Sequence, residues 1–128
     1  METTGRCLCG ATRFAFATEA VLWQGLCTCE SCRRASGAPV VGWIGVTNGA
    51  WRWEGAPPGR YSSRPGVERC FCTRCGAPLT YASADHPGET HFLAAQLDDP
   101  MGFVPDHTDH SDEALPWLAA HHLPQETP

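Results

Sequence analysis

Residues 72–79 read CTRCGAPL, a stretch in which two cysteines stand three positions apart and a glycine follows the second. A short turn of this kind can present two sulfurs to one ion. Residues 7–11 read CLCGA and offer a similar pair, again with a glycine after the last cysteine. Zinc in a structural site takes four ligands, commonly from two such turns in distant parts of the chain. Together the two stretches predict a zinc ion that ties the start of the chain to its second half and contributes to the folding free energy.

The two glycines have a specific use in such a site. Gly10 and Gly76 can adopt positive φ, which lets backbone amides face the sulfurs. The alternative is that both glycines end ordinary hairpin turns, where glycine is common.

Residues 27–34 read CTCESCRR and form a third cluster, with Cys27, Cys29 and Cys32. Three protein ligands with an open position are the layout of a catalytic zinc. Spacing alone leaves the pairing open, because CTC with CTRC would also make a closed site of four ligands. Redox-active thiols and structural disulfides are the other uses of cysteines this close together.

Length and composition bound the class of protein. The 128 residues fit a single domain over 1–128. A net charge of −5 argues against nucleic acid or acidic membranes as partners, since both attract clustered basic residues. No apolar run approaches a membrane span, and the first residues do not resemble a signal peptide. We therefore expect a cytoplasmic protein, in which metal ligation is a commoner use of cysteines than disulfides.

Short strand-like segments separated by turn residues predict an all-β domain. The strand candidates are GATRFAFA, VLWQGLC, APVVGWIGV, WRW, VERCF, APLTYA and THFLAAQL. Only ESCRRA and SDEALPWLAA could form helical turns, the second provided that Pro116 lies in its first turn. We expect the segment from about residue 105 to wrap over the surface and residues 120–128 to form a loosely ordered tail.

Three longer motifs carry a family resemblance: GRCLCGATRF at 5–14, CTCESCRRASGAP at 27–39 and YSSRPGVERCFCTRCGAPL at 61–79. LDDP at 97–100 and LPW at 115–117 extend it. On these motifs the chain resembles the family of glutathione-dependent formaldehyde-activating enzymes, which also includes centromere protein V. The resemblance implies a β-tent of small antiparallel sheets that contains zinc. It further implies an activity on carbon–sulfur bonds, with glutathione, or another small thiol, and a small aldehyde such as formaldehyde as partners.

The resemblance also assigns the ligands of two zinc ions per chain. The ligands that match the structural site are Cys7, Cys9, Cys72 and Cys75. Those that match the catalytic, more labile site are Cys27, Cys29 and Cys32. Between the first two catalytic-site cysteines the family often has His, whereas this chain has Thr28. We expect Thr28 to lie beside the substrate.

Three thiolates give a zinc site a formal charge of −1, so the ion is a weaker Lewis acid than one held by histidines and is better suited to binding a thiol. Arg33 and Arg34 directly follow the last cysteine. We expect Arg33 to offset negative charge during catalysis and Arg34 to bind a substrate carboxylate, while Trp43 lines the substrate pocket. The expected reaction is reversible addition or elimination at a carbon bonded to both sulfur and oxygen.

Two other classes of function fit the same residues. One is a zinc-stabilised binding module without turnover, and the other is a zinc enzyme that acts on a different small carbonyl or hemiacetal. A protein side chain in the fourth position of the catalytic site would favour the binding module, and His107 is the candidate for that position. An exposed loop position is the simpler expectation for the six histidines, which all come late in the chain: His86, His91, His107, His110, His121 and His122.

Three further side-chain groups have structural expectations. Cys70 is expected to be a small buried hydrophobic residue, with a disulfide to the catalytic cluster as the alternative. Asp98 and Asp99 are expected to form a turn before Pro100. Trp51 and Trp53 are expected to share one strand face and to pack in the core.

Overall fold

The computed structural model describes residues 1–120, which form two β-sheets with a few short helices. The smaller sheet has the strand order β1-β2-β5 and consists of β1 (Glu2–Arg6), β2 (Thr12–Ala17) and β5 (Trp51–Gly55). The larger sheet has seven strands: β3 (Val21–Cys27), β4 (Val41–Thr47), β6 (Gly59–Tyr61), β7 (Val67–Phe71), β8 (Pro78–Ser83), β9 (Glu89–Leu93) and β10 (Thr108–Asp109). Its strand order is β10-β3-β4-β9-β8-β7-β6.

Helices are short and lie between strands or at the end of the described chain. The α-helices are α1 (Glu30–Ser36) and α2 (Pro116–Ala120), and single 3₁₀ turns cover Thr18–Ala20, Ala94–Gln96, Pro100–Gly102 and Ser111–Glu113. Pro116 is the first residue of α2, where its missing N–H costs no helical hydrogen bond. In the described residues no helix is long and apolar enough to cross a membrane.

The main core forms where the two sheets face each other. Phe14 and Phe16 of β2 reach Phe92 of β9, with ring centroids 4.8 and 5.3 Å apart, and all three side chains are fully buried. Trp51 and Trp53 pack against this cluster from β5, as predicted from their shared strand face. The alternating pattern of TRFAFA places its phenylalanines in this core, and Ala15 is buried on the opposite face.

The predicted all-β class with few short helical turns is confirmed, and each predicted strand overlaps an observed one. The segment THFLAAQL is a strand only as far as Leu93 and then turns into 3₁₀ structure. Three short strands, β1, β6 and β10, were missed because ETTGR, GRY and TD carry no apolar alternation. The expected loose tail at 120–128 lies, apart from residue 120, outside the described residues.

The segment after residue 105 follows the edge of the larger sheet, which positions side chains for the site described below. Its backbone pairs in parallel with β3, and Leu26 N donates to His107 O at 2.9 Å. This is the one parallel pairing among residues 1–120, since all other strand pairs are antiparallel. The segment is exposed, as expected, and Thr108–Asp109 within it also form an edge strand of the larger sheet.

Candidate metal centres and the cavities beside them

The four-cysteine cluster brings together Cys7, Cys9, Cys72 and Cys75, whose sulfurs all lie within 4.8 Å of one another. The Sγ of Cys9 lies 3.7 Å from that of Cys7 and 3.8 Å from that of Cys72. Tetrahedral zinc with bonds of about 2.3 Å places its sulfurs about 3.8 Å apart, so the spacing fits this ion. The sequence prediction that the two turns converge is confirmed.

The two turns of this cluster have the backbone geometry predicted for them. Gly10 and Gly76 both have φ of +80°, which an L-residue rarely adopts. Backbone amides also point at sulfur, since those of Arg74 and Cys75 donate to Cys72 Sγ at 3.3 and 3.4 Å. These hydrogen bonds lower the pKa of Cys72 to about 6, which favours the thiolate that a metal requires.

The three-cysteine cluster forms where β3 passes into α1. Cys27 ends the strand, Cys29 is the N-cap of the helix and Cys32 lies in its first turn. Their sulfurs lie within 4.8 Å of one another, and Cys32 N donates to Cys29 Sγ at 3.3 Å. The helical turn thus directs two sulfurs toward the end of the strand, and the set of three soft donors suits a zinc ion.

The three thiols of this cluster differ in acidity. Hydrogen bonds from Cys27, Cys29 and Arg69 lower the pKa of Cys32 to about 5. The same interaction with Cys32, together with burial, raises the pKa of Cys27, and burial raises that of Cys29. Of the three thiols, Cys32 is therefore the one whose thiolate its neighbours favour most.

Arg69 is the arginine that contacts the three-cysteine cluster. Its Nη2 lies 3.9 Å from Cys32 Sγ and donates to Ser31 Oγ at 2.9 Å, while its guanidinium lies 4.8 Å from the centre of the Tyr81 ring. The position on β7, across from α1, brings it there from a distant part of the sequence. It is thus placed to offset negative charge at this cluster.

The two arginines singled out from the sequence lie elsewhere. Arg34 Nε donates to Glu30 Oε2 at 2.8 Å on the exposed side of α1, although the residue also borders a cavity described below. Arg33 borders neither cavity, and its buried Nε has no hydrogen-bond partner among residues 1–120. Among residues 1–120 neither arginine hydrogen-bonds to a sulfur of the cluster, so a catalytic role for Arg33 stays a prediction.

A polar cavity of about 670 Å³ opens beside the three cysteines. Its walls carry all three cysteines, four histidines and four carboxylates: Cys27, Cys29, Cys32, His86, His91, His107, His110, Glu30, Glu89, Asp109 and Glu113. Trp23, Trp43 and Tyr81 supply aromatic walls. Several of these groups reach the cavity only because the late segment pairs with β3.

His91 is the most buried histidine of this cavity, with 9% of its side chain exposed. Its Nε2 lies 2.8 Å from Glu89 Oε1, and the same oxygen accepts the indole N–H of Trp23 at 3.0 Å. Burial lowers the pKa of His91 despite the neighbouring carboxylate, and the hydrogen bonds from Trp23 and His91 outweigh burial and lower the pKa of Glu89. The pair is therefore a neutral imidazole beside a carboxylate near neutral pH.

An apolar cavity of about 590 Å³ lies on the other side of Cys32. Trp43, Phe71, Pro78 and Leu93 form much of its wall, and Arg34, Arg60 and Arg69 also line it. Cys32, Trp43 and Arg69 border both cavities, so the two spaces meet at the three-cysteine cluster.

Other residues predicted for the site have mixed placements. Trp43 is buried and borders both cavities, and its contact with a substrate stays a prediction. Thr28 is buried but turns away from the cavities, because its hydroxyl donates to His110 O at 2.7 Å and so fastens the late segment. Its role in substrate binding stays a prediction.

His107 and Cys70 stand near the site without joining a cluster. His107 borders the polar cavity, but its Nδ1 lies 2.6 Å from Asp106 Oδ1 and it is not part of the three-cysteine cluster. Cys70 is a buried free thiol, as predicted, and borders the apolar cavity. The expected turn at Asp98 and Asp99 is also present, with Asp99 accepting from Met101 N at 3.3 Å.

Sequence reasoning missed Glu89, His91 and Arg69. It grouped His91 with the exposed loop histidines, whereas the residue is buried on β9. The signal was available in part, because His91 lies in the strand candidate THFLAAQL. Glu89 stands two positions before it, and the observed strand begins there, so the two residues share a face. Nothing local to VERCF indicates that Arg69 reaches a cysteine 37 positions away.

Comparison with protein families matches residues 2–112 to the family described as glutathione-dependent formaldehyde-activating enzyme. No curated protein matches the chain. Among solved structures, the crystal structure of a Rhodobacter sphaeroides protein, a Northeast Structural Genomics target, is similar with a TM-score of 0.64. The two sequences are 24% identical, and the alignment covers 80% of this chain and 97% of that chain. This likeness concerns the fold.

Proposed function

Because the chain belongs to the family of glutathione-dependent formaldehyde-activating enzymes, we propose that it is a zinc-dependent carbon–sulfur lyase. Its substrates are adducts of a small thiol with a small aldehyde, of the type that glutathione forms with formaldehyde. The reaction is reversible: a thiol adds to the carbonyl carbon to form a hydroxyalkyl thioether, or the adduct separates again into the two.

The observation that carries this proposal is the difference in ligand number and surroundings between the two cysteine clusters. Four cysteines form a set that is complete for tetrahedral zinc, while Cys27, Cys29 and Cys32 form a set of three that opens into a cavity. An incomplete ligand set beside a cavity with a buried histidine is the layout of a catalytic site rather than a structural one.

Cys27, Cys29 and Cys32 would hold the catalytic zinc, and the four-cysteine cluster a structural zinc. When bound at the three cysteines, the ion supplies a Lewis acid that favours the deprotonated form of a thiol. Arg69 supports that state, because its guanidinium lies beside Cys32 and offsets the negative charge of the thiolates.

His91 moves the proton in this proposal. In the direction of adduct formation it takes the proton of the thiol as the sulfur bonds to the carbonyl carbon, and a proton is returned to the carbonyl oxygen. In the reverse direction the carbon–sulfur bond breaks, the hydroxyl proton leaves and the thiol sulfur is protonated. Glu89 holds the ring through Nε2, which leaves Nδ1 without a hydrogen-bond partner among residues 1–120.

Zinc content and turnover, measured on the same preparations, test this proposal. We expect two zinc ions per chain and formation of S-(hydroxymethyl)glutathione, or of a related adduct, by the unmodified protein. Cys29→Ser should retain one zinc ion and lose turnover. One zinc ion in the unmodified protein, or no loss of metal from Cys29→Ser, would contradict the proposal. Two zinc ions without turnover on any thiol and aldehyde would instead favour a binding module.

A further inference from the structure

The two cavities that meet at Cys32 differ in charge. Among the described residues, the apolar cavity is lined by three arginines and no carboxylate, namely Arg34, Arg60 and Arg69. The polar cavity carries the carboxylates of Glu30, Glu89, Asp109 and Glu113 against the guanidinium groups of Arg64 and Arg69. The charged side chains that line the apolar cavity are therefore all cationic, which favours an anionic group there over the polar cavity.

The arginines of the apolar cavity differ in their distance from the cysteines. Arg69 contacts Cys32 and is engaged there. Arg34 and Arg60 are more exposed and pair with Glu30 and Glu68 at 2.8 and 2.7 Å. We name these two the rim arginines. Exposed pairs of this kind contribute little to stability, so a ligand carboxylate can compete with Glu30 or Glu68 at small cost.

The wall between the cysteines and the rim arginines is largely hydrophobic. Trp43, Phe71, Pro78 and Leu93 line it, and the volume of about 590 Å³ is that of a cavity for a small organic molecule. A peptide-like thiol such as glutathione would bring an ammonium group and amides into this space and leave several of them poorly paired. A chain of methylene or aromatic carbons would bury apolar surface there, which favours binding.

We propose that the apolar cavity binds the body of the thiol substrate, and that this thiol has an apolar body ending in a carboxylate. Its sulfur points toward the three-cysteine cluster, its carbon chain lies against Trp43, Phe71 and Leu93, and its carboxylate meets the rim arginines. This inference rests on the proposed function and names its substrate class. The aldehyde portion then approaches from the polar cavity, on the side of His91.

Binding of four thiols to the cobalt-loaded protein tests the inference, because a thiol sulfur near cobalt changes its near-ultraviolet and visible absorption. The thiols are 6-mercaptohexanoate, 6-mercaptohexanol, 3-mercaptopropionate and glutathione. We expect 6-mercaptohexanoate to bind about tenfold or more tightly than each of the others, because only it has both the apolar length and the terminal anion.

Variants of the rim arginines test the charge separately. In the double variant Arg34→Gln with Arg60→Gln, the preference for 6-mercaptohexanoate over 6-mercaptohexanol should fall to about onefold, with cobalt content unchanged. Both side chains are exposed, so the fold should be retained. Arg13→Gln, in the smaller sheet and outside both cavities, removes the same kind of charge and should leave the preference intact.

Two results would overturn the inference while leaving the proposed function in place. The first is equal binding of all four thiols, and the second is a carboxylate preference that survives in the double variant. Absence of any spectral response to any thiol in the cobalt-loaded protein would count against the proposed function itself.

Discussion

At the scale of single residues, His91 shows how burial selects a chemical state. An exposed histidine is half protonated near pH 6.5, whereas only 9% of the His91 side chain is exposed, and this burial disfavours the cation. The groups that face its ring are Glu89 and Cys32, which favour the charged form, and His86, which opposes it. Burial outweighs the first two, so the imidazole is neutral and able to accept a proton near neutral pH.

His91→Gln tests the role of the ring. We expect turnover to fall by about 10²- to 10⁴-fold, the usual contribution of a general base, while zinc content stays at the unmodified value. Glu89→Gln should give a smaller loss, because the ring remains but its tautomer is no longer fixed by a carboxylate. Steady-state kinetics with metal analysis checks both. Unchanged turnover in His91→Gln would exclude the residue from proton transfer.

The acidity of His91 also predicts the pH dependence of the reaction. Because burial lowers the pKa of His91 from its ordinary 6.5, kcat/KM should hold down to pH 6.5 and fall at lower pH, as the ring becomes protonated. His91 takes up its proton at higher pH in the unfolded chain than in the folded chain. The contribution of neutral His91 to the free energy of unfolding is therefore also lost as pH falls below 6.5. Zinc content at each pH separates protonation of His91 from loss of metal. An acid limb that is unchanged in His91→Gln would contradict the assignment.

At the scale of elements, the polar cavity depends on glycine residues in the central strands. Gly45 of β4 is covered by the indole of Trp23, and Gly25 of β3 by the ring of His107, so closely that a Cβ at either position would overlap these rings. The indole that lies on Gly45 is the one that donates to Glu89. Gly45 thus leaves room on β4 for the Trp23 indole, and this indole in turn helps to position the His91–Glu89 pair.

Gly45→Ala should therefore disturb both stability and activity. The new methyl group displaces a half-buried ring, which we expect to cost about 1–3 kcal/mol of unfolding free energy and to weaken the hydrogen bond to Glu89. Gly102→Ala is the matched control, because a Cβ there meets no atom within 4 Å and its φ lies outside the positive range. Denaturant unfolding and turnover of both variants check this, and equal stability of the two would show that the Trp23 contact is not tight.

The same elements show what a sequence can and cannot predict. Strands such as VLWQGLC and VERCF were predicted with their observed bounds, because apolar residues and flanking turns are local signals. The division of the cysteines into a set of four and a set of three fitted the ligand number of zinc, but spacing left the pairing open and the family resemblance assigned it. The contact of Arg69 with Cys32 and the pairing of the late segment with β3 could not be predicted, because both depend on strand order in the larger sheet.

At the scale of the whole molecule, the two cysteine clusters connect different parts of the chain. The four-cysteine cluster joins the β1–β2 hairpin to the turn after β7, and Cys9 and Cys72 are 63 positions apart. By analogy with a covalent cross-link, closing a loop of this length stabilises the folded chain by about 4 kcal/mol through the unfolded state. The three-cysteine cluster spans only the junction of β3 and α1 and closes no long loop.

Loss of one metal should therefore unfold the protein, and loss of the other should not. We expect Cys72→Ser to lower the thermal midpoint strongly and to lose the structural zinc, because Cys72 is fully buried among the four ligands. Cys29→Ser should lose one zinc ion with a small change in the midpoint.

Cys70→Ser is the matched control, since Cys70 is a buried cysteine two positions from Cys72 that belongs to neither cluster. This variant should keep two zinc ions. Calorimetry with metal analysis checks all three, and a Cys72→Ser variant with two zinc ions and an unchanged midpoint would contradict the structural role. The distinction follows from topology: an ion that links distant strands stabilises the fold, whereas one held within a single strand–helix junction is free to serve chemistry.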